Sequence, residues 1–172
     1  MIALKSIKPS ALKEPALRLE LLNTMRKAGR EIMKDFESTT RTWEHKPRFE
    51  TLLSLTGPGP VVLVATDDKI YGYVTRGTKP HLIWAGYYTG KSGKRALVYP
   101  GRSVPKTRPG VLGSGPGSRS GPTMVRAYVQ HPGTKARRFD ELIERNWRSR
   151  FRRDMEAAMR RAAAKSGHGG GL

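Results

Sequence analysis

From Leu12 to Thr42 the apolar residues Leu17, Leu21, Met25, Ala28, Ile32 and Phe36 recur at steps of three and four, the period of one helix face. The spacing predicts a long amphipathic N-terminal helix whose stripe packs a core. Pro15 suits its first turn, Ser10 is the N-cap candidate, and the run Ser38-Thr39-Thr40-Arg41-Thr42 weakens its far end. The period then shortens to that of strands. Residues 48–52, 60–66 and 70–74 read as three strands of an antiparallel meander, with Gly57-Pro58-Gly59-Pro60 at the first turn and Asp67-Asp68-Lys69 as a short hairpin. Residues 81–85 and 95–99 offer a further hairpin, and 123–129 a last strand. A second amphipathic helix closes the pattern. Phe139, Ile143, Trp147, Phe151, Met155 and Met159 stand at steps of four with Leu142 beside them, while Arg145, Arg148, Arg152, Arg153, Arg160 and Arg161 take other faces. Asp140 and Glu141 suit the positive end of its dipole, Arg160, Arg161 and Lys165 the negative end, and the glycine-rich run 166–171 stops it. Thr134 is the candidate cap. Core packing accounts for this stripe, with interface burial as the competing role for Trp147 and Phe151.

These elements define an α+β fold. At 172 residues the length fits one domain, with an arm-like or flexible insertion at 100–122 and a short Gly-rich tail at 166–172. Eleven of the 23 residues from 100 to 122 are glycine or proline, and four are basic. Nothing there is expected to pack a core, and both a flexible tip and an ordered arm suit such a composition. No window approaches the ~18 uncharged apolar residues of a membrane helix, and the first 15 residues contain neither an apolar signal core nor a small-residue cleavage site. No membrane partner is expected. With no cysteine, disulfides, thiolate nucleophiles and thiolate metal sites are excluded.

Charge changes the picture most. The chain has 33 Lys and Arg against 14 Asp and Glu, a net charge of +19. Residues 69–139 hold 14 basic side chains and no carboxylate. A segment that cannot neutralise itself attracts polyanions through a screened, sequence-independent field. DNA, RNA or an acidic protein is therefore the expected partner, and Lys91, Lys94, Arg95, Arg102, Lys106, Arg108 and Arg119 are the candidate partner-facing cations.

Tests for chemistry come back weak. His45, His81, His131 and His168 are scattered, with no i+3 or i+4 ligand partner, so no metal site is expected. There is no G-x-S-x-G elbow, and the acid-free middle offers its histidines no orienting carboxylate. Gly113-Ser114-Gly115-Pro116-Gly117-Ser118 lacks the G-K-[ST] ending of a phosphate loop and reads as linker. Asp67-Asp68 is the only adjacent acidic pair before Asp140-Glu141, too little for a nuclease metal site. The expectation is a protein that is not an enzyme and carries no cofactor. His81 and His131, each beside a strand, are expected to bond neighbouring backbone groups.

Two segments are more specific than their physics requires. One is the G-T-x-P-H-x-I turn of Gly77, Thr78, Pro80, His81 and Ile83; the other is His131-Pro132-Gly133-Thr134-Lys135-Ala136-Arg137-Arg138-Phe139, with Pro132-Gly133 as a type II turn pair. In this order, about 50 residues apart and behind a long helix, they resemble the neck and tail-completion, or head-tail joining, family of long-tailed bacteriophages. The resemblance covers most of residues 12–160. It departs from the family pattern where Asp140-Glu141 replaces the usual hydrophobic-Arg-Pro, and in the long arm at 100–122. It implies a structural virion protein assembled in the host cytoplasm, a homo-oligomeric ring, sixfold by that likeness, between the head connector and the tail tube. Its implied partners are itself, the adjoining head-closure or connector and tail-terminator or tail-tube proteins, and phage DNA held without sequence preference. The alternative from composition alone is a small non-specific nucleic-acid-binding protein.

Overall fold

The computed structural model describes residues 12–56, 59–85 and 96–168. Helix α1 (Glu14–Thr39) and helix α3 (Phe139–Ala163) bracket the chain and pack against each other. Between them run β1 (Glu50–Ser54), β2 (Val61–Ala65), α2 (Lys69–Arg76), β3 (His81–Trp84), β4 (Leu97–Val104), β5 (Ser118–Arg126) and β6 (Tyr128–His131). The class is α+β, as the pattern predicts.

Helix α1 starts with Pro15 in its first turn and Lys13 at the N-cap, without a side-chain cap. Its far end fails for the reason the hydroxyl run implies. Ser38, Thr39 and Thr40 each donate a side-chain hydrogen bond to the carbonyl three residues back, competing with the helical ladder. Met25 and Ala28 on its stripe are buried, and Gly29 lets β1 approach so closely that an added Cβ would lie 2.7 Å from the Thr51 methyl.

On α3, Phe139, Ile143, Trp147 and Met155 are buried, but Met159 is half exposed and Ala158 and Ala162 take its place. A strict step of four advances about 40° beyond a full turn, so a stripe written that way rotates off the core within a few steps. Ala28, Ile143 and Trp147 form the centre of the core, with Ile32, Phe36, Leu112 and Phe151 against it. Leu112 corrects the expectation that nothing in 100–122 packs a core. The helix ends in a π-type turn (Ala164–His168) broken by Gly167 at φ 89°. There Ser166 Oγ accepts from Lys13 N at 3.0 Å, joining the start of α1 to the end of α3.

The strands differ from the expected meander in three ways. The segment 70–74 is helical, because Asp68 does not turn a hairpin. Its carboxylate accepts the Tyr71 N–H at 2.6 Å and caps α2, which Gly77 ends at φ 77°. Secondly, 81–84 pairs with 128–131 and 97–99 with 124–126, so the hairpin expected of 81–85 and 95–99 does not form among the described residues. Among the described residues the sheets are three separate antiparallel pairs, β1 with β2, β3 with β6 and β4 with β5. Thirdly, the single strand expected at 123–129 is divided at Ala127 between β5 and β6. The β4–β5 ladder reaches into the Gly/Pro-rich segment, pairing Arg102 with Ser120 and Val104 with Ser118, so Ser118 is ladder and not linker. Tyr71, moved from strand to helix, centres an aromatic cluster with Phe36, Trp43, Phe49 and Phe139 at centroid distances of 5.1 to 6.4 Å. Among the described residues no helix is long and apolar enough to cross a membrane.

Candidate functional site

The two segments singled out in the sequence meet. Strands β3 and β6 pair His81 with His131 and Trp84 with Tyr128. Below them Thr78 and Thr134 form an isolated bridge, each N–H donating to the other's carbonyl at 3.0 and 3.2 Å, and the Thr134 N–H also reaches Thr78 Oγ1 at 2.9 Å. Thr134 is thus a bridge residue and not the cap of α3. That position belongs to Arg138, held at φ 54°. The last carbonyls of α2, which a helix leaves without partners, are satisfied from the second segment: Arg137 N donates to Val74 O and Thr75 O, and Arg138 N to Thr75 O at 2.9 Å. The result is a clasp of backbone bonds.

Two glycines make the clasp sterically tight. Gly77 and Gly133 have φ of 77° and 85°, and a Cβ on Gly133 would stand 2.3 Å from Thr78 O, within 3.1 Å of the Lys79-Pro80 peptide. Gly133, after Pro132, has the positive φ that the second central position of a type II turn needs. His81 Nδ1 donates to Lys79 O at 2.8 Å, and the Gly133 N–H donates to His131 Nδ1 at 3.1 Å. Both imidazoles therefore bond neighbouring backbone, as expected, with their rings 5.0 Å apart. Phe139 is fully buried beside Tyr71.

Beside the clasp lies an open groove of about 1030 Å³, walled by Trp43, Val74, Tyr99 and Pro100 and lined by Lys106, Arg108, Arg119, Lys135 and Arg137. One carboxylate, Glu44, also lines it. Arg137 is 7% exposed, with Nε donating to Thr107 Oγ1 at 3.3 Å and Nη1 to Lys135 O at 2.7 Å. Burial pulls its guanidinium below the usual arginine range. Lys106 Nζ is anchored on Thr42 O at 2.8 Å, whereas Arg108, Arg119 and Lys135 are exposed. Of the other candidate cations, Arg102 is exposed on β4 but does not line the groove, and Lys91, Lys94 and Arg95 lie outside the described residues.

The sequence did not show that His45, which lines the groove, pairs through Nε2 with Asp68 Oδ2. Burial pushes the Asp68 carboxyl up, but the bonds from His45 and the Tyr71 N–H together outweigh it and hold it below the usual range. Burial pushes the Tyr71 phenol up to about 12. The signal for Asp68 was present, since an Asp three residues before a helical N–H is a capping arrangement. Among the described residues no group of three or more His, Asp or Glu is placed to hold a metal ion. The chain matches no protein-family model, no curated protein and no solved structure.

Proposed function

We propose that this chain is a structural protein of the neck or tail-completion region of a long-tailed phage, acting without catalysis. It forms a ring between head connector and tail tube, through which DNA passes. The observation that carries this reading is the clasp: the two segments on which the resemblance rests, about 50 residues apart, form one hydrogen-bonded unit. Their histidines, threonines and glycines are engaged in holding backbone, which suits a scaffold.

Two further features support an assembled state. Each of the three strand pairs presents a half-exposed apolar cross-strand pair: Leu52 with Leu63, Trp84 with Tyr128 and Val98 with Val125. Exposed apolar faces repeated on every ladder are costly for a monomer and favourable once a neighbouring subunit covers them. The Gly/Pro-rich arm built on β4 and β5 gives reach toward that neighbour. The acid-free cations suit a lumen that tolerates DNA of any sequence or a surface that meets an acidic neighbour.

Native mass spectrometry and negative-stain microscopy of the purified chain test the reading. A ring, or a ring-prone oligomer that joins heads to tails in a particle-assembly assay, is the expected result. A persistent monomer with salt-sensitive DNA affinity overturns it in favour of the non-specific nucleic-acid binder.

A further inference from the structure

All 14 side-chain carboxylates of the chain lie among the described residues, as do the five cations of the groove. Among the described residues seven of the carboxylates form ion pairs, with His45, Arg138 and cations of α3 and its terminal turn; none pairs with Lys106, Arg108, Arg119, Lys135 or Arg137. Arg137 is more than nine-tenths buried, and its Nη2 makes no hydrogen bond. Its Nη2, free of bonds yet still reached by solvent, is left as a donor that a carboxylate entering the groove can take. Glu44 lines the groove but pairs with none of these cations, so an anion for them is available from another molecule.

We propose that the groove beside Arg137 is a docking site for an extended, carboxylate-bearing segment of a different polypeptide. Three exposed cations, Arg108, Arg119 and Lys135, ring its mouth, and the recessed guanidinium lies at its wall. The walls between them are apolar and aromatic, from Val74, Trp43 and Tyr99, and so accept the side chains that alternate with acids along a strand-like peptide. A nucleic-acid duplex fits less well. Its phosphates ride on a convex surface and meet protruding side chains, whereas Arg137 is recessed and apolar walls gain nothing from phosphate. A second copy of this chain fits poorly too, because its acids lie in helices, in β1 or in short turns, and none belongs to a free acidic segment. This inference goes beyond the ring: it names the chemistry of an adjoining component and the surface that receives it.

Fluorescence anisotropy on the full chain tests it, with a short labelled peptide of alternating glutamate and leucine, its glutamine counterpart and a short DNA duplex as probes. The glutamate peptide is expected to bind and the glutamine peptide to fail. The double variant Arg108→Glu, Arg119→Glu should weaken the glutamate peptide by about tenfold or more, the scale of losing one or two charge-assisted bonds. The variant Arg102→Glu, Arg126→Glu carries the same charge change off the groove and should leave binding within about twofold. Arg137→Lys keeps the charge and loses the fork, so it should bind weakly; if it fails to fold by circular dichroism, the two exposed doubles decide alone. No binding of the glutamate peptide, equal loss in both doubles, or duplex binding that depends on Arg108 and Arg119 more than peptide binding does would each overturn the proposal. A ring that ignores the peptide removes the docking site and leaves the neck reading standing. A monomer that binds the peptide does the reverse.

Discussion

The pair of long helices and the acid-free stretch between them handle charge in opposite ways. Across α1 and α3, Glu20 meets Arg161 and Lys165 at 2.9 and 2.5 Å, Glu31 meets Arg150, and Asp35 accepts the Trp147 indole N–H at 2.6 Å. These contacts join residues more than 110 positions apart, so they fix how one helix lies on the other. Residues 69–137 contain no carboxylate, and backbone bonds order them: the clasp and the β3–β6 and β4–β5 ladders. The helix pair comes close to balancing its own charge, with ten acidic against twelve basic side chains. The middle leaves both its charge and its apolar ladder faces open, the condition of a surface that is completed by other molecules. On the proposed reading, the helix pair is the stable half and the middle the interacting one.

The largest effect should come from breaking the helix pair. Trp147 is buried between α1 and α3, bonded to Asp35, with the Arg150 guanidinium 4.3 Å from its ring. Trp147→Ala is expected to lower unfolding stability by about 3 kcal/mol or more in urea titration, through lost packing and an orphaned carboxylate. An unchanged midpoint would mean that the helix pair is not the stable half.

Next comes the clasp, which breaks sterically. Gly133→Ala places a methyl 2.3 Å from Thr78 O at φ 85° and should cost about 2 to 3 kcal/mol. Gly110 has a similar φ of 73° but nothing within 4 Å, so Gly110→Ala isolates the conformational cost alone, about 1 kcal/mol. Equal losses at the two positions would show that the clasp is not tight.

The same contrast explains how much was legible in the sequence. Both helices were, because a stripe of apolar residues over six or more turns has no other reading. The clasp residues were legible as turns, and Pro132-Gly133 even by type. What was not legible was that the two turns bond each other, since hydrogen bonds between segments 50 residues apart leave no local periodicity. Residues 70–74 were misread because Ile70, Tyr71, Tyr73 and Val74 are good strand formers, and one cap at Asp68 with Gly77 at the end overrode them. Glu20 was unreadable for a similar reason: an acid on a core face makes sense only when Arg161 and Lys165, 141 and 145 positions away, are seen beside it. The groove was half visible. Lys106, Arg108 and Arg119 were named from charge and Lys135 and Arg137 from the motif, but the burial of Arg137 depends on Thr107, 30 positions away, arriving beside it.

Acid should act on the helix pair before the clasp. The hydrogen bond from Lys165, then that from Arg161, holds the Glu20 carboxyl below its ordinary value of 4.5. A lowered carboxyl contributes stability that is present above pH 4.5 and lost as the pH falls through its shifted value. Glu20→Gln removes that contribution, so wild type and variant should differ at neutral pH and converge under acid in thermal melts. A difference independent of pH would assign Glu20 a packing role only.

The smallest expected effect is the most informative about the middle. Arg102 and Arg119 are cross-strand neighbours of Ser120 and Ser103 on the β4–β5 ladder, exposed and unpaired. Reversing both to glutamate breaks no bond and relieves repulsion in a chain of net charge +19. Stability should therefore stay within about 0.5 kcal/mol of wild type, and any change at low salt should be a gain. The comparison within the helix pair is Arg161→Glu, which places like charge against Glu20 and should destabilise under the same conditions. If the ladder variant unfolds as readily as Arg161→Glu, those arginines hold the fold through contacts of their own, and the division into a nearly charge-balanced half and an outward-facing half fails. If it stays folded while joining of heads to tails, or release of DNA, declines, the charge of the middle belongs to the assembly and not to the subunit.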